Sequence, residues 1–144
     1  MTTTNNADTV TGGAIVTGDA SGALGLQAAG TTLFTLSGST ATFAKGITET
    51  AYTLGTSGSI ALNPANGTLQ SCAASATVTF TDSLAAGQSI VLMLTNGATY
   101  TINWPTTTWV TSAGNAAPTL TAADTVVFWK IGTTLYAAYV GSFA

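Results

Sequence analysis

Seven of the 144 residues carry charge: Lys45, Lys130, Asp8, Asp19, Glu49, Asp82 and Asp124. There is no histidine and no arginine, and the single cysteine is Cys72. The missing histidine removes Ser-His-Asp and Cys-His nucleophiles, His-containing zinc sites and imidazole acid-base work together. One thiol cannot build a thiolate metal cluster or an internal disulfide. Paired carboxylates remain, and glycoside hydrolysis needs two of them about 5 to 9.5 Å apart. The five here are spread thinly along the chain, Asp8 and Asp19 being the nearest two in sequence. A fold could bring Asp82 and Asp124 together, yet "TDSLAAG" and "AADTV" read as turns whose aspartates accept backbone hydrogen bonds. The expectation is a protein that is not an enzyme, with no metal and no cofactor.

Other local signals point the same way. "GALGLQAAG" has spaced glycines but neither follows a strand nor opens a helix, so it does not read as a phosphate loop. Asn66-Gly67-Thr68 matches a glycosylation sequon and reads more simply as a turn. Lys130, inside an apolar strand, suits an edge or rim from which its ammonium reaches water. The threonine runs "TVTFT", "YTIN" and "TTTW" share no fixed period, so they read as strand surface rather than an ice-binding array. Trp104 and Trp109 could stack on sugar rings, or pack the loop around Pro105.

The elements that must position these residues are set by composition. Charged residues are 5% of the chain and hydrophobic residues 46%, where about 25% charged is usual. That balance excludes ordinary disorder, which combines few hydrophobics with high net charge. It also argues against a solitary monomer. A domain of this length buries roughly 68 to 70% of its unfolded surface, and interspersed charges normally keep the remainder soluble. Threonine, serine, asparagine and glycine solvate a surface but repel copies of it weakly. A net charge of −3 without arginine makes nucleic acid an improbable partner. No apolar run approaches the length of a membrane helix, and "MTTTNNADTVTGG" lacks the features of a signal peptide. Cys72 then reads as a small core residue of a protein made in a reducing compartment.

Residues 1 to 30 are small and polar with six glycines, and read as an extended arm ordered only on another surface. "TTLFTLSGSTATFAKG" (31–46) reads as a hairpin or strand connector around "SGS". Residues 1–46 are therefore an arm and connector, and 47–144 a compact β domain. Its candidate strands are "ITETAYTL", "SIAL", "GTLQSCA", "ATVTF", "QSIVLMLT", "TYTINW", "TVVFWKI" and "TLYAAYV". No helical periodicity competes, so the class is all-β: an antiparallel β-sandwich, jelly-roll-like. Asn96-Gly97 predicts a tight hairpin joining "SIVLMLT" to "TYTINW", since both residue types tolerate positive φ.

"ATVTF" alternates, as a strand with one wet face should. "SIVLMLT" and "TVVFWKI" are apolar at both parities, which requires cover on both sides. One sandwich has one inside, so the second cover is predicted to be a partner subunit. Eight of the twelve aromatic residues lie beyond residue 99, and aromatics concentrate in interface cores. Phe128, Trp129, Tyr136 and Tyr139 are the residues expected to form the core and the contacts between subunits.

Residues 82–141 carry a resemblance in "LAAGQSI", in the "INWP" and "TWV" pair and in "VVFWKIGTTLYAAYVG". The stretch resembles a β module of tailed-bacteriophage virion proteins, cyanophage ones especially, found in fibre-like and capsid-decorating proteins. "GDASGALGLQAAGTTLFTLSGSTATFAKGI" resembles the connector that precedes such modules. The resemblance implies an all-β, usually homotrimeric virion component and brings no active-site residues with it. A tail fibre needs attachment, shaft and tip, for which 144 residues leave little room. A capsid decoration (cement) protein on the outer shell needs a compact trimer with arms that reach the major capsid protein. Thr9, Val10, Ile15 and Val16 are the residues expected to touch the capsid by strand addition. The alternative is a tail fibre or tail tip that binds host surface glycan.

Overall fold

The computed structural model describes residues 23–37, 39–111 and 114–144. The chain divides into two compact units, Met1–Thr48 and Glu49–Ala144. In the first, β1 (Ala23–Ala28), β2 (Thr31–Ser37) and β3 (Thr40–Phe43) form an antiparallel meander. Ala29 and Gly30, both at positive φ, make the two-residue turn between β1 and β2, a geometry matched to hairpin twist. The β2–β3 pair lies in the segment expected to hold a hairpin or connector. It sets Phe34 against Phe43, with ring centroids 4.8 Å apart. Among the described residues of this unit none is buried, and Leu26, Phe43 and Ile47 are more than half exposed.

Among the described residues the second unit has nine strands. Six of them are β4 (Tyr52–Thr53), β5 (Gly58–Leu62), β6 (Leu69–Ala73), β7 (Val78–Asp82), β8 (Ser89–Thr95) and β9 (Ile102–Asn103). Along this run the chain lays strands in two sheets by turns. β4, β6 and β8 pair parallel in one sheet; β5, β7 and β9 pair parallel in the other. Each turn brings one new position into register, as Tyr52, Gln70 and Leu92 in one sheet and Gly58, Val78 and Ile102 in the other. This is a three-turn parallel β-coil.

The remaining strands, β10 (Thr108–Trp109), β11 (Ala123–Ile131) and β12 (Thr134–Ser142), close it. β11 runs antiparallel beside β8, β12 antiparallel beside β11, and β10 parallel along β12. The larger sheet thus has the order β10-β12-β11-β8-β6-β4, and the smaller β5-β7-β9. A register shift between Thr125 and Val126, facing Val140 and Gly141, adds one residue to β12.

One hydrophobic core lies between the two sheets. Leu54, Cys72, Leu92, Leu94, Val126, Phe128, Leu135 and Ala137 enter it from the larger sheet, and Ile60, Leu62, Val78 and Phe80 from the smaller. Cys72 is in line with Leu54 and Leu94 on successive turns, and its buried thiol points to the Gly55 carbonyl, 3.3 Å away. Burial pushes this thiol's pKa up. Trp104 stacks on Phe80 at 5.4 Å and meets Trp109 and Phe128 edgewise or tilted at 5.5 and 5.7 Å.

The corners between turns are held by polar side chains. Asn63 accepts from the Ala65 amide to cap a single turn of 3-10 helix, Pro64–Asn66. Gln70, almost fully buried, donates its amide to the carbonyls of Asn63 and Gly67 at 2.7 and 2.9 Å. Glu49 accepts from the amide and the hydroxyl of Thr68 at 2.6 and 2.5 Å. Both hydrogen bonds favour the carboxylate and hold its pKa below the ordinary value.

The all-β class and the sandwich of two sheets are present, but the antiparallel, jelly-roll-like pairing is corrected. No hairpin forms across Asn96-Gly97. β8 is flanked on one side by β6 and on the other by β11, so it has no free edge for the chain that follows. Asn96 does adopt positive φ (63), but as a corner. Its amide donates to the Ala122 carbonyl, its side chain donates to the Ala74 carbonyl, and the chain crosses to place Ile102 beside Val78.

Candidate functional site

Asp82, Lys130 and Asp124 are engaged in two separate clusters. Asp82, at the end of β7, accepts from the Leu84 amide at 2.8 Å and pairs with Lys130 of β11 at 2.6 Å. Lys130 therefore does not sit on a free edge. β11 lies between β8 and β12, and the lysine's parity turns it toward the smaller sheet, where its ammonium finds the Asp82 carboxylate. A cleft of about 410 Å³ beside this pair is lined by Pro105, Thr106, Thr108, Thr133 and Thr134.

The second cluster surrounds Asp124, which is wholly buried at the start of β11. It accepts from the Thr121 amide (2.8 Å), the Thr121 hydroxyl (2.7 Å) and the Tyr139 hydroxyl (2.9 Å). Burial and the hydrogen bond to Asp124 raise the Tyr139 pKa above its ordinary value. An adjacent cleft of about 500 Å³ is lined by Val110, Thr111, Pro118, Thr119 and Tyr139. Asp82 and Asp124 each accept a backbone amide in a turn, as expected. They belong to opposite ends of β11, about 20 Å of strand apart, too far to share one glycosidic bond. Among the described residues no three acidic, histidine or cysteine side chains gather to hold a metal.

Of the aromatic residues singled out by sequence, Phe128 is fully buried in the core. Tyr139 packs at the core margin. Trp129 and Tyr136 lie on the opposite, outer face of the larger sheet, where they pair across β11 and β12 and stack at 5.9 Å with planes 13° apart. Trp104 and Trp109 contribute their rings to the aromatic cluster at the core. Thr9, Val10, Ile15 and Val16 lie outside the described residues.

The outer face of the larger sheet carries several partly exposed apolar side chains. Across one row the register aligns Leu69, Val91, Val127 and Ala138 on β6, β8, β11 and β12. Val110, following β10, extends the row beside Ala138, where its amide donates to the Ala137 carbonyl. The neighbouring row is Ser89, Trp129, Tyr136 and Thr108, and on the other side stand Ser71, Met93 and Thr125. None of these residues is charged. Leu69, Met93 and Val110 are 41%, 43% and 53% exposed.

No family model, curated protein or solved structure matches this chain. Its function is therefore to be found in the arrangement itself. Both polar clusters hold strands together, and the outer face of the larger sheet presents apolar side chains interspersed with serine and threonine. Sequence reasoning found the doubled apolar parity of β8 and β11 but missed Leu69 and Val110. Neither residue lies in a strand with that pattern, and only the sheet order lines them up.

Proposed function

We propose that this chain is a structural protein of a tailed-phage virion, a capsid decoration protein that binds the mature shell as a homotrimer and stabilises it. The carrying observation is the Ala23–Phe43 meander. It contains no buried residue among those described, and Leu26, Leu33, Leu36 and Phe43 remain exposed. Three strands that bury so little apolar area are not stable alone in water, so a segment of this kind gains its order from a surface outside itself. The resemblance to phage virion modules supplies the identity of that surface, the major capsid protein.

The mechanism is linkage without catalysis. A protein that binds adjacent capsid subunits only in the assembled shell stabilises the shell by mass action. Three arms on one trimer act at high effective concentration, so weak single contacts suffice. The test is co-sedimentation of the purified protein with mature capsids that lack it. Saturable binding that is lost on removal of residues 1–46 is the expected result. Absence of binding to capsids, with adhesion to host cells or surface glycan, would move the protein to the tail.

A further inference from the structure

We propose that the outer face of the larger sheet, centred on Val91 and Val127, is the surface through which copies of this chain meet, with these faces turned toward the trimer axis. This rests on the virion reading only for the number three; the surface itself follows from the fold.

Only the central row is continuous over five strands, the flanking rows spanning four and three. Strands about 4.8 Å apart and same-face residues about 6.6 Å apart give the three rows ~400 Å² in projection, two thirds of their residues being apolar and the rest serine or threonine. That is about half of the ~800 Å² that one partner brings to a standard interface, a small contact.

Its chemistry selects the occupant. The rows contain no charged residue. Nucleic acid and anionic lipid, which are held by lysine and arginine, gain nothing there. A second copy offers the same neutral, apolar, pleated surface, and a net charge of −3 hardly repels it. Edge-to-edge strand addition at the outermost strands of this sheet is poorly served. Both edges of this sheet, β10 and β4, are only two residues long, and short edges blunt such pairing. Trp129 stacked on Tyr136 stands at the flank of the patch, the residue types that concentrate in interface cores.

Multi-angle light scattering on the full chain, with Val127→Asp and Met93→Lys compared against wild type, tests this. Both side chains point out of the core, Val127 at the centre of the face and Met93 already 43% exposed. A charge at either position is tolerable in an isolated subunit and costly in an apolar contact. The expected result is a wild-type trimer and, for both variants, a fall to one third of that mass with the β circular-dichroism spectrum retained. Should Val127→Asp fail to fold, Met93→Lys decides.

Variants that keep the wild-type mass would overturn the interface and leave the virion reading intact, since capsid binding is measured separately. A wild-type monomer at micromolar concentration would overturn the interface together with the trimer. A dimer dissociated by both variants would keep the interface and overturn the threefold arrangement.

Discussion

The Lys130 ammonium lies 2.6 Å from the Asp82 carboxylate, joining β11 of the larger sheet to the end of β7 in the smaller one. Each side chain is about one-fifth exposed, 19% and 20%. The pair is therefore less screened than a surface bridge, worth about 0 to 1 kcal/mol, and less costly to desolvate than a fully buried one. Lys130→Ala should destabilise the fold by about 1 to 2 kcal/mol, partly through loss of the lysine stem. A double-mutant cycle with Asp82→Asn, read by urea denaturation, should give a coupling near ~1 kcal/mol that weakens in high salt. A coupling of zero would mean that the sheets are held at this end by packing alone.

Phe128 and Trp129 are sequence neighbours on opposite faces, and their truncation should separate core from surface. Phe128→Ala removes a fully buried ring that meets Trp104 and Trp109, and should cost about 3 to 5 kcal/mol. Trp129→Ala removes a half-buried ring, so in the Met93→Lys background it should cost less than about 2 kcal/mol. Chemical denaturation of both variants checks the order. Equal losses in that background would place Trp129 in the core.

Gly97 is required for space and not for its φ. A Cβ there would stand 3.0 Å from Leu120 Cδ1 and 3.2 Å from Leu94 Cδ2, and the residue is outside the left-handed region. Gly97→Ala should therefore overpack the corner and cost about 1 to 3 kcal/mol. Gly46→Ala, which meets nothing within 4 Å, should be close to neutral. Thermal melts of the two variants make the comparison, and a neutral Gly97→Ala would show that the corner yields.

Two groups give stability opposite dependences on pH. The Tyr139 hydroxyl is held protonated by burial and by its bond to Asp124, so its folded pKa lies above the unfolded value. The folded state then binds the proton more tightly, and stability falls as pH rises from about 10 through the folded value. Glu49 has its pKa lowered by Thr68, so its contribution is present above the ordinary carboxylate range and is lost as pH falls through the lowered value. Urea midpoints against pH should show a shallower alkaline decline in Tyr139→Phe and a shallower acid decline in Glu49→Gln. An unchanged alkaline limb in Tyr139→Phe would remove that residue as its source.

The all-β class and nearly every strand were legible in the sequence because alternation is local: a run such as "SIAL" or "ATVTF" declares its pleat by its own side chains. β1 was not, since Ala23–Ala28 lies in the small, glycine-spaced stretch read as an extended arm, and β10 was not, since two residues, Thr108 and Trp109, cannot show a period. The turns at Asp82 and Asp124 were also legible, because an aspartate that accepts its own turn amide needs no distant partner. The ion pair of Lys130 was not legible, since its partner Asp82 is 48 positions away, nor was the interior place of its strand, which depends on sheet order.

What tertiary structure alone decided is which strand lies beside which. Asn96-Gly97 has the same local preference for a hairpin whether or not the preceding strand has a free edge, and here β6 and β11 occupy both edges of β8. The turn-to-turn spacing is unequal, as the steps from Tyr52 to Gln70 to Leu92 and from Gly58 to Val78 to Ile102 show, so the coil leaves no fixed repeat in the sequence. The outer apolar face follows the same logic. Leu69, Val91, Val110, Val127 and Ala138 are scattered along most of the second unit, and sheet order, set by the packing of one shared core, makes them a single surface.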